Sequence, residues 1–226
     1  VEPMQTIALV GETGGGKSTI INLLSRFYEP TSGAILIDGI DYKQRSIGWL
    51  HSQLGYVLQT PHLFSGSILD NIRYGKPDAS LQEVIKICRL LNADEFIQKL
   101  PNGYDFEVGE AGSFLSTGQK QLISFARALI HQPNIMILDE ATSSIDTEAE
   151  LLIQHAIDQV VSTTTTFIVA HRLSTIVNAD KILVVKKGVV QESGSHTELM
   201  KEKGYYYRLY TNQFNQELQK KVFNES

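Results

Sequence analysis

One cysteine, Cys88, is all the sequence contains, so no internal disulfide framework can staple the fold, and a reducing, cytosolic setting is expected. Long apolar runs are missing as well. Ile135 to Leu138 and Ile182 to Val185 are typical, far short of the roughly 18 to 20 residues that a membrane helix requires. No block of Lys and Arg occurs, and 20 basic against 25 acidic residues leave a net charge of −5. Nucleic acid is therefore not an expected partner, because non-specific binding to it is mostly phosphate neutralisation. The opening Val1-Glu2-Pro3 has none of the basic-then-apolar character of a secretory signal. What is present is ordinary globular usage: 226 residues, 42% hydrophobic and 20% charged, enough to bury one sizeable core.

Short apolar runs bounded by turn residues alternate with amphipathic stretches, the pattern of an α/β fold with a mostly parallel sheet under helices. Four buried strands are predicted: Thr6 to Val10, Leu54 to Leu58, Ile135 to Leu138 and Thr166 to Ala170. Each is followed by something polar: a Gly-rich loop, Gln59, the pair Asp139-Glu140, and His171. Ligands of open α/β sheets bind outside the carboxyl ends of the strands, so these four ends are expected to converge on one crevice. A helical subdomain is expected at about 67–131, inserted in the core. Within it Ser80 and Glu83 form a capping box ahead of Leu81, Val84, Ile85, Cys88 and Leu91 at helical spacing, and a second helix from Ala93 stops before Pro101. Lys181 to Val185 and Val189 to Glu192 flank Lys187-Gly188 as an antiparallel hairpin, and a helical tail follows from Thr197, with 205–226 as its last part. Cys88, Trp49 and Tyr205 to Tyr207 are read as packing residues, and the remaining histidines are too scattered for a metal cluster.

Gly11-Glu12-Thr13-Gly14-Gly15-Gly16-Lys17-Ser18 fits the phosphate-loop pattern G-x-x-x-x-G-K-[ST]. Its glycines let the backbone close on phosphate, Lys17 reaches the β- and γ-phosphates, and the Ser18 hydroxyl ligates Mg²⁺. An apolar strand precedes it, and Ile20, Ile21, Leu23, Leu24 and Phe27 follow at helical spacing. Beside such a loop, Asp139 at the end of an apolar strand is expected to hold Mg²⁺ through water. Glu140 is expected to polarise the attacking water, and His171 to contact the γ-phosphate. Ser116, in Leu115-Ser116-Thr117-Gly118-Gln119 before a helix, is either an ordinary N-cap or part of an anion site.

The order of phosphate loop, Gln59, Leu-Ser-Thr-Gly-Gln, Ile-Met-Ile-Leu-Asp-Glu, Ser143-Ser144-Ile145-Asp146 and His171 resembles the ATP-binding cassette (ABC) ATPase family over nearly the whole chain. Phe106-Glu107-Val108-Gly109-Glu110 and Arg26 to Gly33 are similar to the exporter branch, as is Leu63-Phe64 with Asn71-Ile72. The resemblance implies a Mg²⁺-dependent ATPase domain of an exporter. ATP would be bound by Gly11 to Thr19, Gln59, Asp139, Glu140 and His171, with Mg²⁺ on Ser18, Gln59 and Asp139. Two such domains pair head to tail, so that Ser116, Gly118 and Gln119 serve the ATP of the partner in trans and Asp146 communicates across the dimer. Glu140 is the implied base, His171 the switch and Gln59 the coupling contact. A transmembrane domain fused upstream and a place on the cytoplasmic face of the cell membrane are implied too. The alternative is a soluble ABC ATPase of DNA maintenance or translation.

Two departures from the family pattern carry expectations of their own. Thr117 stands where the family usually has glycine, which points to a weakened signature and to a heterodimer rather than a homodimer. The family's adenine-stacking aromatic has no counterpart in Val1 to Leu9, so the sequence is expected to begin inside the domain.

Overall fold

The computed structural model describes residues 1–139, 147–169, 173–212 and 214. The chain opens with strand β1 (Thr6–Val10), helix α1 (Lys17–Leu24) and the short strands β2 (Leu36–Ile37) and β3 (Ile40–Asp41). Next come α2 (Ile47–Gln53), β4 (Leu54–Val57), α3 (Ile68–Arg73), α4 (Leu81–Leu90), α5 (Asp94–Lys99) and α6 (Thr117–Leu129). Then β5 (Ile135–Asp139), α7 (Thr147–Val161), β6 (Thr165–Val169), α8 (Leu173–Asn178), β7 (Lys181–Lys186), β8 (Val189–Gly194) and α9 (His196–Glu202) follow.

These elements form two compact units, 1–42 with 167–226 and 43–166, and β6 runs across the boundary. In the first unit β1 is buried along its whole length and pairs in parallel with β7, from Ile7 opposite Lys181 to Val10 opposite Val184. The entry to β1 is pinned by the Thr6 backbone N–H, which donates to Asp180 Oδ2 at 2.7 Å. The predicted hairpin is present as antiparallel β7 and β8, and its turn places Lys187 and Gly188 at φ 51° and 77°. Gly188 takes that conformation without strain. The tail is not one helix. It breaks at Lys203, which is left-handed at φ 51°, and a new helix spans 205–212. Its first amides, of Tyr205 and Tyr206, donate to the Glu192 carboxylate at 2.5 and 2.8 Å, an acidic cap that the helix dipole favours. Tyr206 is 1% exposed, as a packing residue should be.

The second unit holds the parallel pair β4 and β5, from Leu54 opposite Ile135 to Val57 opposite Leu138. Its helices follow the expected stripes with one departure. Val84, Cys88 and Leu91 are fully buried, whereas Leu81, the first residue of α4, is 44% exposed. A helix's first turn overhangs the surface it packs on, so the stripe begins one turn later. The Ser80–Glu83 box forms with both of its bonds, and Ser67–Asp70 and Ser195–Glu198 repeat it. Each such cap contributes about 1 kcal/mol to its helix. Burial pushes the Cys88 thiol up to about 12, leaving it an inert core residue.

Strand limits differ from the sequence reading by a residue. β4 stops at Val57 rather than Leu58, β5 continues to Asp139, and β6 starts at Thr165 rather than Thr166 and is described to Val169. The pairing of neighbouring backbones, not apolar composition, decides where a ladder ends.

Candidate functional site

The phosphate loop follows β1 directly, and its backbone is shaped by what lies behind it. A Cβ on Gly11 would sit 2.1 Å from the Val185 carbonyl oxygen, and one on Gly16 would sit 3.0 Å from Gly188 Cα. The Gly188 N–H donates to the Gly15 carbonyl at 2.8 Å. The turn of the β7–β8 hairpin is thus the support on which the loop rests. Replacing Gly11 by alanine drives a methyl group into fixed backbone, and overpacking of this kind costs about 3 kcal/mol. For a chain of this size the expected result is a melting temperature roughly 10 °C lower. Thermal unfolding followed by circular dichroism checks it, and an unchanged midpoint contradicts it.

Within the loop, Gly15 N–H bonds the Glu12 carbonyl at 3.0 Å. Lys17 is 8% exposed, and its Nζ donates to the carbonyls of Gly11 at 2.7 Å and Glu12 at 3.1 Å. An ammonium held this way is fixed in place over the loop and ready to exchange carbonyl partners for phosphate oxygens. Helix α1 starts from Gly16, at φ 110°, with no side-chain cap, so the positive end of its dipole is left for an anion. Glu12, Thr13, Gly14, Ser18 and Thr19 are exposed at the mouth of the loop.

In the second unit the parallel register brings the ends of β4 and β5 side by side. Asp139 closes β5, and Gln59 lies two residues beyond the end of β4 and is exposed. Burial first, and then the Asp139 carboxylate, push the Tyr56 phenol above its ordinary pKa. Ser116 is the N-cap of α6: its Oγ accepts the Gln119 N–H at 3.2 Å, and Gln119 Oε1 accepts the Ser116 N–H at 3.0 Å. This cap uses an oxygen lone pair and leaves the hydroxyl hydrogen to donate. Ser116 and Thr117 are exposed and Gly118 is buried. Gln119 uses one lone pair of its side-chain oxygen on the cap, and its amide nitrogen is a donor suited to an anionic ligand. Glu140, Asp146 and His171 lie outside the described residues. Sequence reasoning missed the Val185 and Gly188 support of the loop. A Lys-Gly turn signals a hairpin, but nothing local to it names the phosphate loop as its neighbour.

The family model described as ABC transporter matches residues 1–143. The chain belongs to the ABC transporter family. This ABC domain is 50% identical to ABC transporter B family member 4 of Dictyostelium discoideum over 219 residues, 97% of this chain and 29% of the relative. It is 52% identical to the ABC transporter ATP-binding protein YfiC of Bacillus subtilis over 210 residues, 93% of this chain and 35% of the relative. Among solved structures, a bacterial Atm1-family ABC exporter with ATP bound is similar at a TM-score of 0.87 and 44% identity, covering 94% of this chain and 37% of that one. The chain therefore spans about a third of the length of these relatives. Its fold is that of an ABC ATPase with a mostly parallel sheet, and it is similar to the ATP-binding part of ABC transporters and exporters. The alternative of a DNA-maintenance or translation ATPase is not favoured, since these neighbours are transporters.

Proposed function

We propose that this ABC domain energises export of a substrate across a membrane by binding and hydrolysing ATP between two cassettes paired head to tail. The observation that carries the reading is the phosphate loop itself, with Lys17 buried on the carbonyls of Gly11 and Glu12 in front of an uncapped helix. ATP phosphates would replace those carbonyls and collect the amides of the loop and of α1. Glu140 is the proposed base, accepting a proton from the attacking water, and His171 the proposed γ-phosphate contact. Asp146 is assigned to communication across the dimer.

Mg²⁺ suits the donors on offer, since Ser18, Gln59 and Asp139 present only hard oxygen ligands, with a single carboxylate among them. They would hold it together with substrate phosphates. When bound, the ion neutralises charge that develops on the phosphoryl oxygens. The chain's own part is positioning. The loop fixes the phosphates, and Ser116, through its hydroxyl hydrogen, and Gly118, through its amide, complete the site of the partner.

Helices long and apolar enough to cross a membrane are absent among the described residues. The translocation path is assigned to a transmembrane domain fused upstream, which the one-third coverage of the relatives supports. The domain then works at the cytoplasmic face of the cell membrane. No role in binding nucleic acid is assigned. The partner cassette is taken to be a different chain, because Thr117 adds a branched side chain at the exposed head of α6. Sedimentation of the Glu140→Gln chain with Mg-ATP tests this. The expected result is a monomer in the absence of another cassette, and a stable, ATP-dependent homodimer overturns the preference for a heterodimer.

A further inference from the structure

Helix α6 bears Ser116 to Gly118 at its head, and ten residues further on, about 15 Å along its axis, it bears Arg127. That guanidinium is forked across two segments. Nε donates to the Asn71 carbonyl at 2.9 Å, Nη1 to the His62 carbonyl at 2.9 Å and Nη2 to Asn71 Oδ1 at 2.7 Å. Its carbon lies 5.1 Å from the centre of the Phe64 ring, within cation–π range. Asn71, 2% exposed, then closes the loop on itself. Its Oδ1 accepts the Phe64 N–H at 2.9 Å, and its Nδ2 donates to the carbonyls of Phe64 and Ser67 at 2.9 and 3.0 Å. Closer to the helix head, Gln121 Nε2 reaches the Leu58 carbonyl, next to Gln59, at 3.4 Å. Beyond α3, Gly75 is pressed against the same helix: a Cβ there would lie 2.0 Å from the Arg127 carbonyl oxygen.

Every hydrogen-bond partner of Arg127 is neutral, and among the described residues no carboxylate pairs with it. Burial pushes its pKa below the ordinary guanidinium value. An apolar side chain would fill this place without the desolvation cost. What it would not supply is a rigid planar fork that fixes three points on two segments relative to one helix.

We propose that Arg127 is a positioning residue of the ATPase cycle: it clasps the segment from Leu58 to Asn71 to α6, so that the loop after Gln59 and the Ser116–Gly118 head move as one body. The inference rests on the ATPase reading above and adds to it the element that carries motion from one site segment to the other. A pull on the exposed face of that loop, where the Phe64 ring meets Tyr74 at the end of α3 with ring centres 4.6 Å apart, is delivered to the signature rather than lost in loop rearrangement.

The test uses two variants and two readouts. In the chain, amide exchange at Phe64 is followed by NMR in Arg127→Met and Arg127→Lys; in the full-length assembly purified from its native membrane, kcat and KM for ATP are measured. Exchange at Phe64 is expected to quicken at least 30-fold in Arg127→Met and less in Arg127→Lys. kcat is expected to fall at least fivefold with KM unchanged within twofold, because the phosphate loop is untouched. Exchange within threefold of the parent in a folded variant overturns the clasp, and a raised KM with unchanged kcat overturns its role in the cycle. If Arg127→Met does not fold, Arg127→Lys decides on the same terms. An assembly that releases no phosphate with its native sequence sinks the proposed function, whereas the exchange measurement still decides the clasp.

Discussion

Alanine at position 17 is expected to weaken Mg-ATP binding about 100-fold, near 2.7 kcal/mol, while leaving the fold in place. Lys17 is the cation buried in the phosphate loop, tied to two carbonyls of that loop. Hydrogen bonds to charged groups are worth about 1.5 to 3 kcal/mol each. Those to phosphate are partly offset by the carbonyl bonds given up on binding. In the absence of nucleotide the same truncation removes a desolvated charge together with its bonds to those carbonyls, so the losses and gains nearly cancel and the melting temperature should move by only a few degrees. Arginine is no remedy, because its wider, planar head does not fit a place shaped for a compact ammonium. Calorimetric titration with a non-hydrolysable ATP analogue and Mg²⁺ measures the effect. Affinity within threefold of the parent would remove Lys17 from the site.

Glutamine at position 140 is expected to lower ATP turnover by at least 100-fold and to leave binding nearly unchanged. Glu140 follows Asp139, the last residue of β5, and a general base in such a place contributes roughly 10²- to 10⁴-fold. The amide has the size of the carboxylate and none of its basicity, so the loss falls on the chemical step. Bound ATP then accumulates, and the closed state should outlive that of the parent. Phosphate release at saturating Mg-ATP, measured with the domain in its full-length assembly, gives the answer. Turnover close to that of the parent would show that some other group accepts the proton.

The parts of the site that were legible in the sequence are those in which chemistry and geometry are local. Gly11 to Ser18 could be read because a glycine-rich turn between an apolar strand and an amphipathic helix admits few conformations, and β1 has the predicted limits. The Ser80–Glu83 box and the Lys187-Gly188 turn are local in the same sense, and both are present. Ser116 stood between cap and anion site. Its oxygen does cap α6, and its hydroxyl hydrogen remains available, so the two roles do not exclude each other. Contacts between residues far apart in the chain were not legible. The Gly188 N–H on the Gly15 carbonyl joins positions 15 and 188, and the Arg127 fork joins position 127 to 62 and 71. No periodicity or composition marks such pairs, because their partners are chosen by the sheet and the helix packing. The break in the tail at Lys203 escaped for a related reason: a lysine at φ 51° costs strain that tertiary contacts such as the Glu192 cap repay.

The support beneath the phosphate loop also sets an order of events during synthesis. Gly11 to Lys17 are made well before the strand and turn that hold them, β7 with Val185 and Gly188. At roughly 5 to 20 residues per second, that interval is on the order of ten to thirty seconds. Throughout it, the nucleotide-binding sequence exists without the backbone that gives it shape. In a nascent or prematurely terminated copy the loop therefore lacks the Val185 carbonyl and the Gly188 N–H against which it packs.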